Sequence, residues 1–206
     1  MTVAAVVTGA PGAVDACRAA LAAQTVAVEL DVPDPPSCEL VWFLHGAARP
    51  EPDALERLLA APAAPVRAGL VVDGEGVPCP HAAPQVAERE PLLMVQTVRD
   101  GRLPIRYATL AHTLVAASAV RADGGPAFER FGPYADAQWT ARVLAGGHGW
   151  WVTRSVAVAA RCPAAPTASL GAKLRMLRSG AWTATEAIER LMPIDRADEP
   201  HPSRGR

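Results

Sequence analysis

An α/β domain, with a mostly parallel sheet flanked by helices and a short helical extension at its C-terminus, is the fold this sequence predicts. Three observations carry that expectation. Short apolar runs alternate with segments of helical period from Val3 to Val72. The connections between them are short and rich in Gly and Pro, as in βαβ units whose helices cover the sheet. The runs themselves are nearly all apolar rather than alternating, which suits strands covered on both faces.

In chain order, Val3–Val7 reads as the first strand, and Thr8-Gly9-Ala10-Pro11-Gly12 as a turn. Val14–Gln24 follows as a helix, with Val14, Cys17 and Leu21 at helical spacing among alanines. Val26–Leu30 is a second strand, ended by the breaker Asp31-Val32-Pro33-Asp34-Pro35-Pro36. Leu40–Leu44 is a third, and Asp53–Ala60 a helix entered through Pro50 and Pro52. Ala68–Val72 is a further strand, residues 73–91 a loop, and Leu92–Val98 an antiparallel edge strand closed by the Asp100-Gly101 turn. The apolar stretch Leu114–Val120 ends at Asp123-Gly124-Gly125-Pro126; Ala135–Leu144 is a helix closed by Gly146-Gly147, and Trp150–Ala159 a strand. Beyond Cys162 a Pro/Ala linker leads to helical patterns at Leu170–Leu177 and Thr183–Leu191. The expected organisation is one α/β domain over 1–161, a helical extension over 162–194 and a flexible tail over 195–206.

Composition narrows the function classes. The chain has 206 residues, enough for one well-cored domain, with 50% hydrophobic and 20% charged residues. A net charge of −1 gives no bulk attraction to nucleic acid or to an anionic membrane. Lys173 is the single lysine, and arginine supplies the rest of the basic charge. Cys17, Cys38, Cys79 and Cys162 are scattered without CxxC spacing. They are expected as buried, reduced thiols in a cytoplasmic protein. The N-terminus, Met1-Thr2-Val3-Ala4-Ala5-Val6-Val7, has no basic region, and its apolar run is too short for a leader or a membrane span.

The segment Leu44-His45-Gly46-Ala47, followed by Pro50 and Pro52-Asp53-Ala54-Leu55-Glu56-Arg57-Leu58, resembles the nucleotide-sugar site of family 2 glycosyltransferases. In one subgroup of that family the strand ends Leu-His-Asp-Asp. The resemblance extends over residues 3–161. It includes Gln24-Thr25 after the first helix, Thr8 in the turn that touches the nucleotide base, and Thr113–Gly125 as the acceptor-side strand and helix. Phe131–Arg142 corresponds to the segment that holds the catalytic base. It implies a GT-A-like, Rossmann-like fold. It also implies Asp136 as the base of an inverting transfer and Thr8, His45 and Arg142 as contacts to a nucleotide-sugar.

The departures matter more than the matches. Gly46 and Ala47 stand where the resemblance places two metal-binding aspartates, and Ala135 and Gln138 where it places further acids. At the end of the closing strand, Val158-Ala159-Ala160-Arg161 has no metal-ligating His. A diphosphate leaving group needs its charge neutralised by a carboxylate-held Mg²⁺ or Mn²⁺, and Gly and Ala offer no ligand atoms. The resemblance therefore implies a glycosyltransferase-like protein without a metal or cofactor. Such a protein would bind or scaffold, as partner to an active transferase or another envelope enzyme in glycan or cell-envelope biosynthesis. The alternative is a metal-independent transferase in which Arg49, Arg142 or Arg161 neutralises the diphosphate and Asp136 accepts the proton.

Several residues also have plainer readings. A lone His such as His45 is more often a packing or hydrogen-bonding residue, Asp136 is also a helix N-terminal acid favoured by the macrodipole, and Arg142 also a partner for an acid on its own helix. Trp139, Trp150 and Trp151 are either a sugar platform or aromatic core. Gly9-Ala10-Pro11-Gly12 lacks the spacing of a dinucleotide or P-loop motif. No GxSxG elbow occurs, and nothing in the spacing joins His112, Ser118 and Asp123 as a triad. The segment 170–182, with leucines beside Lys173, Arg175 and Arg178, suits a membrane surface, a partner helix or the outside of its own domain.

Overall fold

The computed structural model describes residues 1–30, 37–87, 101–160, 162 and 169–183. The breaker at 31–36, the edge strand at Leu92–Val98, Arg161, most of the linker, the second C-terminal helix and the tail lie outside the described residues. The α/β class and the helix-flanked open sheet are as expected, but the sheet is mixed rather than uniformly parallel.

Among the described residues eight strands, β1 (Val3–Thr8), β2 (Leu40–His45), β3 (Ala48–Pro50), β4 (Val66–Val72), β5 (Gln85–Val86), β6 (Arg102–Tyr107), β7 (His112–Ala116) and β8 (Gly149–Ala159), form one sheet in the order β1-β2-β7-β4-β8-β6-β5, with β3 also paired to β8. The first two, β1 (Val3–Thr8) and β2 (Leu40–His45), pair in parallel, so that Thr8 lies beside His45 at their carboxyl ends. Between them comes α1 (Pro11–Ala22), which starts with proline at its first position and buries Cys17 and Leu21. The expected strand at Val26–Leu30 is reduced to one parallel bridge, Ala4 to Glu29, made by Ala5 N–H to the Glu29 carbonyl and Glu29 N–H to the Val3 carbonyl.

After β2 the chain turns into β3 (Ala48–Pro50), then α2 (Ala54–Ala60) and β4 (Val66–Val72). The pair β5 (Gln85–Val86) and β6 (Arg102–Tyr107) is antiparallel. Next come β7 (His112–Ala116) and, without a break, α3 (Ala117–Asp123), which ends at Gly124 in the left-handed region (φ 70°). The apolar stretch Leu114–Val120 is thus half strand and half helix. The remaining elements are α4 (Phe128–Phe131), a 3-10 turn at Gly132–Tyr134, α5 (Ala135–Val143), β8 (Gly149–Ala159) and α6 (Leu170–Arg178).

β7 is antiparallel to both β2 and β4, while β4 and β8 are parallel. Side chains alternate across the sheet. Trp42 and Leu114 face α1 and α2, packing with Leu21, Leu55 and Leu58. Phe43 and Val115 face α5, packing with Trp139 and Leu144. Trp139 is fully buried, and Trp150 and Trp151 pack against these two cores, so the three tryptophans are core rather than a sugar platform.

β8 is the hinge of the architecture. Its register to β4 slips between Gly69 (opposite Val152) and Leu70 (opposite Val156), leaving Thr153, Arg154 and Ser155 as an insertion on β8. Its outer edge then divides: β6 pairs Gly149–Val152 and β3 pairs Ala157–Ala159. The irregularity turns Ser155 into the core, where it completes a chain of hydrogen bonds. Trp42 Nε1–H donates to His112 Nδ1 (3.2 Å), His112 Nε2 meets Ser155 Oγ (2.9 Å), and Ser155 Oγ–H donates to the Ala54 carbonyl (2.8 Å). An indole can only donate and the serine proton is already committed. The imidazole is therefore neutral, with its proton on Nε2. Burial lowers the pKa of His112 to about 3.

One expectation about the cysteines is corrected. Cys79 and Cys162 form a disulfide, with their Cα atoms 5.3 Å apart across 83 residues of sequence. Adjacent placement of β4 and β8 brings them together, and linear spacing carries no sign of it. Cys17 and Cys38 are free and buried, and burial raises the Cys17 thiol to about 11, leaving it inert. Among the described residues no helix is long and apolar enough to cross a membrane.

Candidate functional site

A cleft of about 1020 Å³ opens at the carboxyl ends of β1 and β2. In open α/β sheets ligands bind in the crevice outside the carboxyl ends of the parallel strands, where the connections diverge.

Three of the four residues singled out from the sequence, Thr8, His45 and Asp136, line this cleft. Thr8 and His45 arrive by the β1–β2 register. His45 N–H donates to the Ala111 carbonyl (2.9 Å), and its Nδ1 accepts from Ala47 N–H (3.2 Å). Asp136, on the first turn of α5, is fixed by two backbone donors. Leu110 N–H reaches Oδ2 (3.1 Å) and Ala137 N–H reaches Oδ1 (2.7 Å). Burial pushes this carboxyl above the usual carboxylate range, while the hydrogen bonds from Leu110 and Ala137 pull it back. Thr140, one turn on, both donates to the Ala108 carbonyl (2.7 Å) and accepts from Ala108 N–H (3.0 Å). Asp136 and Thr140 together hold the 108–111 segment in place, so the acid has a structural task as well as a place in the cleft.

Arg142 is not at the site. It is exposed on the far part of α5, where its Nε lies 3.4 Å from Asp123 Oδ2, and it also donates to the Asp123 carbonyl. Arg49 lies on β3 opposite Val158 and does not line the cleft. Among the described residues, none that lines the cleft is Arg or Lys, and Asp136 is its one carboxylate. Nor does any group of three His, Cys, Asp or Glu among the described residues have the arrangement to hold a metal ion.

Position 46 is closed as well as empty of ligand atoms. A Cβ on Gly46 would stand 3.1 Å from Val14 N, 3.2 Å from the Thr8 carbonyl oxygen and 3.2 Å from Val14 Cγ2. Gly46 N–H also donates to that same Thr8 carbonyl at 2.6 Å. The start of α1 occupies the space a side chain would need. Ala47, by contrast, lines the cleft. Gly46→Asp is accordingly expected to cost about 1–3 kcal/mol in urea denaturation. Ala47→Asp should leave the midpoint close to that of the parent protein.

The sequence did not reveal the aromatic wall. Tyr107, Tyr134, Phe128 and Trp182 all line the cleft, and the Tyr134 and Trp182 rings meet edge to face with centroids 4.8 Å apart. The opposite wall, Pro80 to Ala83, is anchored by the disulfide, and Cys162 is itself part of the lining. These residues come from five separate stretches of chain, so only Trp182, beside an amphipathic helix, carried a sequence signal at all. No protein-family model matches the chain, and no curated protein resembles it at a significant level.

Proposed function

We propose that this chain is a glycosyltransferase-like domain, resembling family 2, that has lost metal-dependent catalysis. It serves as a binding or scaffold subunit in glycan or cell-envelope biosynthesis, with an active transferase or another envelope enzyme as its partner. The charge of the cleft carries this reading. A nucleoside diphosphate brings concentrated negative charge, and a site for it needs a metal, arginines or a run of free backbone N–H groups. The cleft offers one carboxylate, two histidines (His45 and His81) and an aromatic wall. Those groups suit a ring with apolar faces and hydroxyls better than a diphosphate.

Calorimetric titration with UDP, GDP and dTDP, each with and without Mn²⁺, tests it. The expected result is no metal-dependent binding to any of the three. Manganese-dependent binding of any of them would overturn the reading.

A second reading, a metal-independent inverting transferase with Asp136 as base, is favoured by one observation. Burial raises the affinity of that carboxyl for a proton, and two backbone donors fix its direction. It requires sugar transfer that survives a chelator and is lost in Asp136→Asn, with the variant shown to be folded by near-UV circular dichroism. Transfer at the parental rate in the folded variant would eliminate it.

A further inference from the structure

Seven large apolar side chains are conspicuously exposed among the described residues, and three of them, Leu170, Leu174 and Leu177, belong to α6. They are 63%, 37% and 36% exposed, although the opposite side of the same helix is buried through Ala172 and Met176. At ~100° per residue the three leucines fall within roughly 60° of one another. Lys173 and Arg178 then flank the stripe on its two sides. The helix is amphipathic twice over: one narrow face closes its own domain against Phe131, Tyr134 and Trp182, and the other points leucines outward.

We propose that α6 is an interfacial helix that rests this domain on an anionic lipid surface, with Leu170, Leu174 and Leu177 entering the headgroup–acyl boundary and Lys173 and Arg178 meeting lipid phosphates. Charge complementarity selects this occupant. Residues 169–183 contain Lys173, Arg175 and Arg178 and no acidic residue, in a chain whose net charge is −1. The cationic charge is therefore local, so attraction to a uniformly anionic plane orients the molecule with α6 downward. Nine residues of helix reach only ~13 Å, too short to span a bilayer but sufficient to lie in its surface. The neighbouring α4, tied to α6 by Arg175 Nε–H donating to the Arg130 carbonyl (2.5 Å), carries Phe128, 60% exposed and part of the cleft lining. The surface-seeking helix thus adjoins one wall of the cleft.

Co-sedimentation of the full chain with phosphatidylcholine vesicles, with and without phosphatidylglycerol, tests the proposal. Sedimentation with the anionic vesicles is expected, weakening as salt rises. Leu170→Gln/Leu174→Gln/Leu177→Gln should abolish it, and Lys173→Gln/Arg178→Gln should reduce it about thirtyfold. Leu170, Leu174, Leu177 and Arg178 are exposed and Lys173 is half-buried, and unchanged thermal midpoints of both variants show that the fold is intact. Failure of the parent protein to sediment with anionic vesicles would overturn the proposal. So would undiminished sedimentation of the leucine variant. A concentration-dependent dimer in analytical ultracentrifugation, lost in the leucine variant while vesicle binding persists, would assign the stripe to a second copy of the chain instead.

Discussion

Gly69→Ala is expected to cost on the order of 4 kcal/mol or more, most of the stability margin of a domain this size. A Cβ at Gly69 would lie 2.1 Å from His112 Cδ2, 2.2 Å from His112 Nε2 and 2.7 Å from the Ser155 carbonyl oxygen. No rotamer change relieves this. His112 is held at both ring nitrogens, by Trp42 and Ser155, and Ser155 is held in turn by Ala54. Movement of the ring would strand two buried donors, the Trp42 indole N–H and the imidazole's own Nε2–H, each costing about 1–3 kcal/mol. The third contact is backbone, at the point where β8 slips its register against β4. Guanidinium denaturation of the single variants and of Gly69→Ala/His112→Ala provides the check. Removing the imidazole takes away two of the three clashes, so the double variant should be less destabilised than the sum by about 1–3 kcal/mol. Strict additivity would show that the glycine is needed for some reason other than the ring.

That glycine marks where sequence reading stops. β1, β2, β4, β8, α1, α2, α5 and α6 were legible to within a few residues because each has an apolar run or helical period bounded by Gly or Pro. β6 was not, although Leu103, Ile105 and Tyr107 alternate as buried positions. Pro104 sits in its middle and demotes any strand on local grounds; it is accommodated because β5 is only two residues long and makes few demands on the ladder. The Val26–Leu30 strand failed for the opposite reason. Its local pattern is good, but only Glu29 reaches β1. Mixed direction in the centre of the sheet was not legible, because an apolar strand reads alike in either orientation.

The cleft divides along the same line. Thr8, His45 and Asp136 converge because two of them end adjacent parallel strands and the third opens the helix packed beside them. Arg142 left the group because α5 carries it away from the cleft to Asp123, a pairing between separate helices that helical spacing along α5 cannot reveal. The disulfide and the aromatic wall are assembled from distant stretches and follow only from the finished sheet. Position 46 gains meaning from the fold as well. The resemblance places a carboxylate there; in three dimensions neighbouring backbone stands where its side chain would begin.

Acid should destabilise this domain through His112 well before general acid denaturation sets in. The ordinary imidazole value is 6.5, and burial lowers it to about 3 in the folded protein. A base whose folded value is depressed contributes stability that is complete above 6.5. Below 6.5 the unfolded chain takes up a proton that the folded core refuses, so stability falls until the folded value is reached. At ~1.4 kcal/mol per pH unit the full window is worth roughly 4–5 kcal/mol. Asp136 acts in the reverse sense. Its carboxyl is raised by burial, so the native state holds that proton more readily than the unfolded chain and gains stability as pH falls. Between pH 6.5 and 4 the two groups therefore oppose each other, and the parent compared with His112→Gln isolates the imidazole. Urea unfolding at half-unit steps across that range should show the parent losing free energy relative to that variant as pH falls. In His112→Gln, whose amide can still donate toward Ser155 Oγ, the protein should be weaker by about 1–3 kcal/mol at pH 7.5 but should lack the imidazole's loss of stability in acid, keeping only the opposing effect of Asp136. The two curves should then approach each other or cross in acid. Parallel curves would mean that the imidazole stays protonated or solvated in the folded chain, and the neutral chain from Trp42 to Ala54 would have to be abandoned.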